Sequence, residues 1–180
     1  LKQLLFMLLV VLSLATQAQT ELPSKGKLLY KNSLSSEAEL GGWIMEGPGR
    51  VEYVEGWMIM DSPDESGHHV YWAPVQLPER FMATWEVQNN DTDLGFCIVF
   101  FAARGKNGAD IFDPTFPKRD GTFKQYTQSK FFNNYHISYY ANAKGKKGRE
   151  VAHLRKNSGF DKVQVGEPGI PITSTEVHQI

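Results

Sequence analysis

Several stretches of this chain combine aromatic rings with basic or amide side chains, the residue types that bind sugars. Aromatic faces stack on the C–H faces of a pyranose, while Arg, Lys, Asn and Gln bond its hydroxyls. A guanidinium also binds a uronate carboxylate through two parallel hydrogen bonds. The predicted substrate-binding residues are Arg104, Arg155, Trp72, His69, Gln125 and Lys156. They predict a groove for a polysaccharide or oligosaccharide, including an acidic one.

Three further side chains have the chemistry to cleave an acidic glycan by β-elimination. This reaction needs a cation to neutralise the uronate carboxylate and a Tyr, His or Lys to take a proton from the sugar ring. Arg104 or Arg155 supplies the cation in this hypothesis. The predicted catalytic residues are His136, Tyr140 and Tyr126.

The residues leave open whether the protein is an enzyme. A non-catalytic glycan-binding protein of a polysaccharide-utilisation system would use the same groove without an acid–base pair. A glycoside hydrolase needs two carboxylates that face the sugar. Glu86 and Asp91 do not occupy alternate positions of one strand, so a hydrolase would take a carboxylate from a segment beyond residue 180.

No cofactor or metal is predicted. The sequence has no phosphate-binding glycine loop, no Gly-x-Ser-x-Gly elbow, no Cys-x-x-Cys pair and no His-Glu-x-x-His motif. His68 and His69 are adjacent, so on a strand they point to opposite sides. Cys97 is the only cysteine and lies within "GFCIVFF", which predicts a buried thiol without an internal disulfide.

The charge of the chain is nearly balanced. Its 19 basic and 20 acidic side chains give a formal net charge of −1. This balance argues against a nucleic-acid or anionic-membrane partner that binds through bulk charge. The sequence does not specify an oligomeric state.

Short runs rich in Val, Ile, Tyr, Phe and Trp recur along the chain and are bounded by Gly, Pro, Asn or Asp, which is typical of strands. "VEYVEGWMIMDS" predicts a hairpin that turns at Glu55 and Gly56. The one helical candidate is residues 33–40, "SLSSEAEL". The pattern predicts an all-β sandwich or barrel. The predicted strands are "KLLYKN", "WIMEG", "RVEYVEG", "WMIMDS", "HVYWAP", "RFMATWEVQ", "LGFCIVFFAA", "YHISYYA" and "REVAHLR".

Residues 104–126 follow the most apolar predicted strand and mix charged residues with phenylalanines. A surface loop does not need these rings for solubility. We expect the phenylalanines to hold the segment against the sandwich, and Arg104 to face a sugar.

The two ends of the chain carry separate signals. Residues 1–18 predict a secretory signal peptide, with Lys2, a short apolar core and the small-residue cleavage pattern "ATQAQ". The apolar core is too short to span a membrane. The prediction is therefore a secreted or periplasmic protein with no membrane span in the mature chain, formed by one domain over residues 19–180. "TSTEVHQI" starts a strand without a partner, which predicts a domain truncated at its C-terminus.

Five strings together resemble the YesU-like domain-of-unknown-function family: "LGGWIMEGPG", "VYWAPVQLPERFMATWEV", "FFAARGKNGADIFDP", "YHISYY" and "LRKNSGF". The resemblance runs from Leu28 to the end of the chain, and the third and fifth strings are its most specific parts. It implies a concanavalin A-like jelly-roll sandwich of two antiparallel sheets, with further strands after residue 180. It also implies a carbohydrate context, because members commonly accompany polysaccharide-degradation genes. It implies no reaction, since fold alone does not define function.

Overall fold

The structure, a computed structural model of the chain, describes residues 24–63, 67–92, 97–140 and 151–180. The predicted signal peptide lies outside these ranges. No helix within them is long and apolar enough to cross a membrane. One short helix, α1, covers Phe123–Thr127, and 3₁₀ turns cover Glu37–Leu40 and Lys106–Gly108. The strands are β1 (Ile44–Glu46), β2 (Arg50–Val54), β3 (Trp57–Asp61), β4 (Val70–Trp72), β5 (Glu86–Val87), β6 (Ile98–Gly105), β7 (Phe132–Ser138), β8 (Val151–Asn157), β9 (Asp161–Pro168) and β10 (His178–Gln179).

The strands pair antiparallel throughout the described part of the chain. The largest sheet has the order β6-β7-β8-β9, and two-stranded ladders join β1 to β4, β2 to β3 and β5 to β10. The prediction of an all-β antiparallel fold is confirmed. Three strand predictions differ from the structure: residues 27–32 form no strand, and "RFMATWEVQ" contributes only Glu86–Val87. The C-terminal "TSTEVHQI" strand, predicted to lack a partner, pairs with β5 through His178–Gln179.

The predicted hairpin between β2 and β3 is confirmed. Val54 lies opposite Trp57, so the turn contains only Glu55 and Gly56. Both residues have left-handed backbones, with φ of 51° and 83°. Two consecutive left-handed residues form the type I′ turn whose twist matches that of a two-stranded ribbon.

The predicted helix at residues 33–40 is shorter than expected. Only Glu37–Leu40 is helical, as one 3₁₀ turn, and the Ser36 side chain makes no capping hydrogen bond. The hydroxyl groups of Ser33 and Ser35 bond the Glu39 carboxylate instead. Serine hydroxyls that bond nearby groups in this way compete with helix formation.

The core lies where α1 packs on one face of the four-stranded sheet. Tyr126 is fully buried, and its ring centroid lies 5.4 Å from that of Phe100 and 6.3 Å from that of Trp72. Phe123 lies three positions before Tyr126, so both rings reach the same side of the helix. Phe123 packs on Phe100 at 6.5 Å. Burial of each large ring stabilises the fold by about 1.5–3 kcal/mol.

Phenylalanines also attach the segment before α1 to the core. Phe112 meets Trp72 edge-on, with centroids 6.2 Å apart and planes at 87°. Phe116 packs on Phe131 at 5.4 Å. The prediction that the phenylalanines hold this segment against the sandwich is confirmed.

Two glycines allow three backbone segments to cross closely. A Cβ at Gly47 or Gly121 would lie closer than 3.0 Å to the carbonyl oxygen of His68. Both glycines have left-handed φ values, of 94° and 90°. The crossing brings Glu46, at the end of β1, beside the segment that carries Arg119.

Candidate functional site

A cavity of about 250 Å³ opens beside α1. Its walls come from the segment before the helix, from α1 itself and from the connection to β7. Lys, Gln and Phe predominate among its eleven lining residues, and none of them is acidic. The lining residues are Phe116, Pro117, Lys118, Arg119, Lys124, Gln125, Gln128, Ser129, Lys130, Phe131 and Phe132.

Three lysines of this cavity have ammonium groups without a partner among the described residues. Lys118, Lys124 and Lys130 are all exposed. Each belongs to a different wall: the first precedes α1, the second lies within it and the third follows it. The ion pairs of the described residues involve none of them. With no carboxylate in the lining, these side chains make the cavity locally positive although the chain as a whole is nearly neutral.

The rim of the cavity combines an aromatic ring with amides. Phe131 is 41% exposed, and Phe116 supports its ring from one side. The Ser129 hydroxyl accepts the backbone N–H of Phe131 at 3.1 Å, which fixes the segment that carries the ring. The Gln125 side-chain oxygen accepts the Asp120 N–H at 2.9 Å, so its amide nitrogen is the group left for a ligand.

Arg119, at the floor of the cavity, forms a buried ion pair with Glu46, which lies outside the lining. One Arg119 terminal nitrogen lies 2.5 Å from Oε1 of Glu46, and the two side chains are only 7% and 9% exposed. Arg119 Nε donates to Glu46 Oε2 at 2.9 Å, and Nη1 donates to the Ile111 carbonyl at 2.9 Å. The guanidinium carbon lies 4.9 Å from the Phe132 ring centroid. Arg119 therefore stabilises the cavity floor, and its guanidinium has no pair of unbonded N–H groups to offer a ligand.

Two predicted site residues donate to the same carboxylate. Trp72 Nε1 and the Tyr126 hydroxyl reach Glu46 Oε2 at 2.9 and 2.8 Å. Burial, followed by the hydrogen bond to Glu46, raises the pKa of Tyr126 far above its ordinary value. Tyr126 thus remains a protonated donor inside the core, and the structure does not support the predicted acid–base role.

His136 also lies inside the core. It is 1% exposed, and its ring stacks on Phe160 with centroids 5.6 Å apart. The Asn157 amide nitrogen donates to Asn134 Oδ1 at 2.7 Å and lies 2.8 Å from His136 Nδ1. Burial first, and then the positive charge of Arg155, lowers the pKa of His136 to about 4. The imidazole is therefore neutral at pH 7 and closed to a polymer.

The third predicted catalytic residue, Tyr140, is 1% exposed and forms an isolated bridge with Ile170. Burial is the main cause that raises its pKa. Tyr126 and His136 pack on two sides of Phe100, at 5.4 and 5.5 Å. All three predicted acid–base residues are thus packing residues in this structure, and none faces an open groove.

The predicted arginines are at the surface but apart from the cavity. Arg104 is exposed and donates to the Leu77 carbonyl at 3.2 Å. Arg155 donates to the Phe160 carbonyl at 2.9 Å, and its guanidinium carbon lies 4.0 Å from the Phe160 ring centroid. Neither bonds a carboxylate in the described residues, and whether either contacts a sugar stays a prediction.

The remaining predicted binding residues are also dispersed. His69 is half-buried, with Nδ1 2.8 Å from the Ser62 hydroxyl, and burial lowers its pKa. Lys156 is exposed and follows Arg155 on β8, so the two point to opposite faces of the sheet. Gln125 alone among the nine predicted site residues lines the cavity.

Apart from Gln125, the residues that line this cavity were not among the predicted site residues. Lys118, Lys124 and Lys130 recur at every sixth position through an aromatic-rich segment, and that spacing was the available signal. Glu46 and Arg119 are 73 positions apart. No local pattern connects them, so their pairing had no signal in a single sequence.

The antiparallel architecture belongs to the class of galectin-like β-sandwiches. A crystal structure from Bacillus subtilis, described as a protein of unknown function with galectin-like fold, matches with a TM-score of 0.77 and 30% identity. The match covers 87% of this chain and 71% of that one. The predicted concanavalin A-like jelly roll is confirmed at the level of this fold.

Residues 27–179 match the family "Domain of unknown function (DUF1961)", and the chain belongs to this family. It is 32% identical over 148 residues to the uncharacterized protein YesU of Bacillus subtilis (strain 168). That alignment covers 82% of this chain, which spans 66% of the length of YesU. The resemblance to a YesU-like family is confirmed.

Proposed function

We propose that this protein is a non-catalytic glycan-binding protein that takes an acidic polysaccharide at the lysine-lined cavity beside α1. The observation that carries the proposal is the convergence of Lys118, Lys124 and Lys130 on one cavity without an acidic lining residue. The galectin-like fold supports the proposal by analogy.

The cavity supplies each type of contact that an acidic sugar needs. Ammonium groups pair with the anionic substituent, and the exposed face of Phe131 stacks on ring C–H groups. Gln125 and Gln128 bond hydroxyls. The volume of about 250 Å³ is below the roughly 300–1,000 Å³ of sites that enclose whole small ligands. The cavity therefore holds one charged sugar unit while the rest of the polymer lies on the surface.

Burial of the predicted acid–base residues favours binding over β-elimination. A general base must come within hydrogen-bond distance of the proton that it abstracts. Tyr126 and His136 are 0% and 1% exposed, so a polymer would reach them only after the core opened. The lysines of the cavity belong to a residue type that can also take a proton, so the product assay below decides between binding and β-elimination.

The location of the protein follows from its predicted signal peptide. We propose that it meets its polysaccharide outside the cytoplasm, after cleavage before Gln19. N-terminal sequencing of the full-length protein, recovered from the periplasm or medium of an expressing cell, tests this. A cytoplasmic product with an intact leader would contradict it.

Calorimetric titration with polygalacturonate, alginate and neutral dextran tests the proposed function. We expect binding to the two acidic polymers, weaker at high salt because free ammonium groups are screened, and no binding to dextran. Each alanine at Lys118, Lys124 or Lys130 should weaken binding about two- to fivefold. Lys162→Ala is the matched control, an exposed lysine on β9 away from the cavity.

Two results would overturn the proposal. One is equal affinity of the triple lysine variant and the wild type, which would place the site elsewhere. The other is an unsaturated uronate product in the same incubations, measured by its ultraviolet absorbance, which would show lyase activity.

A further inference from the structure

We propose that the lysine-lined cavity selects sulfate esters over carboxylates, so that the glycan bound is a sulfated polysaccharide. This inference rests on the proposed function and names its ligand class. Arg119 is the one arginine among the residues that line the cavity. Every nitrogen of Arg119 has an acceptor within the protein, two of them on Glu46 and one on the Ile111 carbonyl.

Because its nitrogens already bond Glu46 and Ile111, the Arg119 guanidinium, the group best suited to bind a carboxylate, is not available to a ligand. A guanidinium presents parallel N–H donors that match the two oxygens of a planar carboxylate, whereas an ammonium acts as a compact point charge. The other cations among the residues that line the cavity are all lysines. The lysines would therefore neutralise the charge of a uronate but would not present the two parallel donors that match its carboxylate oxygens.

The placement of the three lysines suits a tetrahedral anion. Lys118, Lys124 and Lys130 come from three walls, and each carries a flexible stem. A sulfate ester points its terminal oxygens in three directions, so each oxygen can meet a separate ammonium group. The total absence of acidic lining residues allows the whole charge of the ester to be neutralised.

The phosphodiesters of nucleic acids are also tetrahedral anions. The residues around the cavity favour a glycan over a nucleic acid. Phe131 and Phe116 are the rings of the rim, and only Phe131 is exposed. Nucleic-acid binding needs a basic track that follows the phosphate backbone. The chain has a net charge of −1, and three free lysines around one cavity do not form such a track. Phosphodiesters therefore enter the test as the competing ligand.

The experiment compares polymers that share a backbone. Chondroitin sulfate and chemically desulfated chondroitin both carry uronates, so only the sulfate differs between them. By calorimetry at low salt we expect at least about tenfold tighter binding of the sulfated polymer. A Lys124→Ala/Lys130→Ala variant should lose most of this ratio, and Lys162→Ala should keep it.

A gain-of-function variant keeps the test independent of lost folding. Lys124→Arg places a guanidinium with paired N–H donors in the cavity. This variant should raise the affinity for the desulfated polymer relative to the sulfated one. Equal affinities of the wild type for both polymers would overturn the sulfate specificity and leave the proposed function intact. No binding to either polymer or to polygalacturonate would overturn both. Equal or tighter binding of single-stranded DNA would overturn the glycan assignment.

Discussion

Glu46→Gln should strongly destabilise the fold, because it removes a charge and leaves the shape of the side chain almost unchanged. The carboxylate accepts hydrogen bonds from Trp72, Arg119 and Tyr126 and pairs with Arg119, all away from water. The amide oxygen of Gln can still accept from Trp72 and Tyr126. Its amide nitrogen must then face the Arg119 guanidinium, so two donors meet and a buried cation loses its counter-ion.

The expected loss follows from that uncompensated charge. Removal of one partner of a buried ion pair costs about 3–5 kcal/mol, a large share of the roughly 5–15 kcal/mol that stabilises a domain. Because Gln retains two neutral hydrogen bonds, we expect about 3 kcal/mol. Arg119→Met in the same chain removes the stranded cation. The double variant should therefore recover about 2 kcal/mol relative to the sum of the single variants.

Urea unfolding followed by far-ultraviolet circular dichroism measures these differences. The surface pair of Arg50 and Asp61 is a matched control, since its N–O separation is also 2.5 Å but its side chains are 58% and 54% exposed. Asp61→Asn should cost less than about 1 kcal/mol. If Glu46→Gln costs no more than Asp61→Asn, the buried pair does not stabilise the fold at the cavity floor.

Gly121→Ala should lower the free energy of unfolding by several kcal/mol, because φ at this position is 90° and the added Cβ meets the His68 carbonyl. Gly56→Ala, at φ 83° with open space around the Cβ, should lower it by about 1 kcal/mol. Thermal unfolding of the two variants measures this difference. The pKa of His136, about 4, lies below its ordinary 6.5, so the unfolded chain binds the proton more readily. The free energy of unfolding should therefore fall by up to about 3 kcal/mol as pH drops from 6.5 to 4. His136→Gln should remove most of this dependence of stability on pH, and His68→Gln should leave it unchanged. Phe131→Ala should weaken glycan binding at low and high salt by the same factor, because its ring stacks without pairing a charge; a changed salt slope would contradict this.

The local features of the fold were predictable from sequence. The β2–β3 hairpin follows from alternating residues and from Gly56, which adopts the left-handed turn at no steric cost. Residues 81–87 show equally good alternation but pair only at their end, with β10. Strand propensity describes how a segment fits a sheet, and it does not supply the partner strand.

The strand β9 and the helix α1 show too little periodicity of apolar residues to be predicted from the sequence. All eight residues of β9, Asp161–Pro168, are exposed, so no buried face imposed an apolar period, and the strand also contains Gly166. The helix α1 has five residues, which is little more than one turn and too short for a helical period to be recognised.

The candidate catalytic residues show a different limit of sequence reasoning. Alternation correctly groups residues by sheet face, but it does not state which face is covered. On β7, the His136 face carries Asn134 and the other face carries Tyr135 and Ile137, so both faces contain polar or ring-bearing groups. Only the packing of Phe123 and Phe160 against His136 shows which face is inside.

A ¹H–¹⁵N nuclear magnetic resonance titration of the protein with a short acidic oligosaccharide shows where the glycan binds. If the glycan binds at the cavity beside α1, the backbone amide shifts will cluster between Lys118 and Phe131. The amide signals of Lys162 and its neighbours on β9 should stay unchanged. Shifts confined to the sheet around Arg155, or no shifts at saturating ligand, would contradict binding at this cavity.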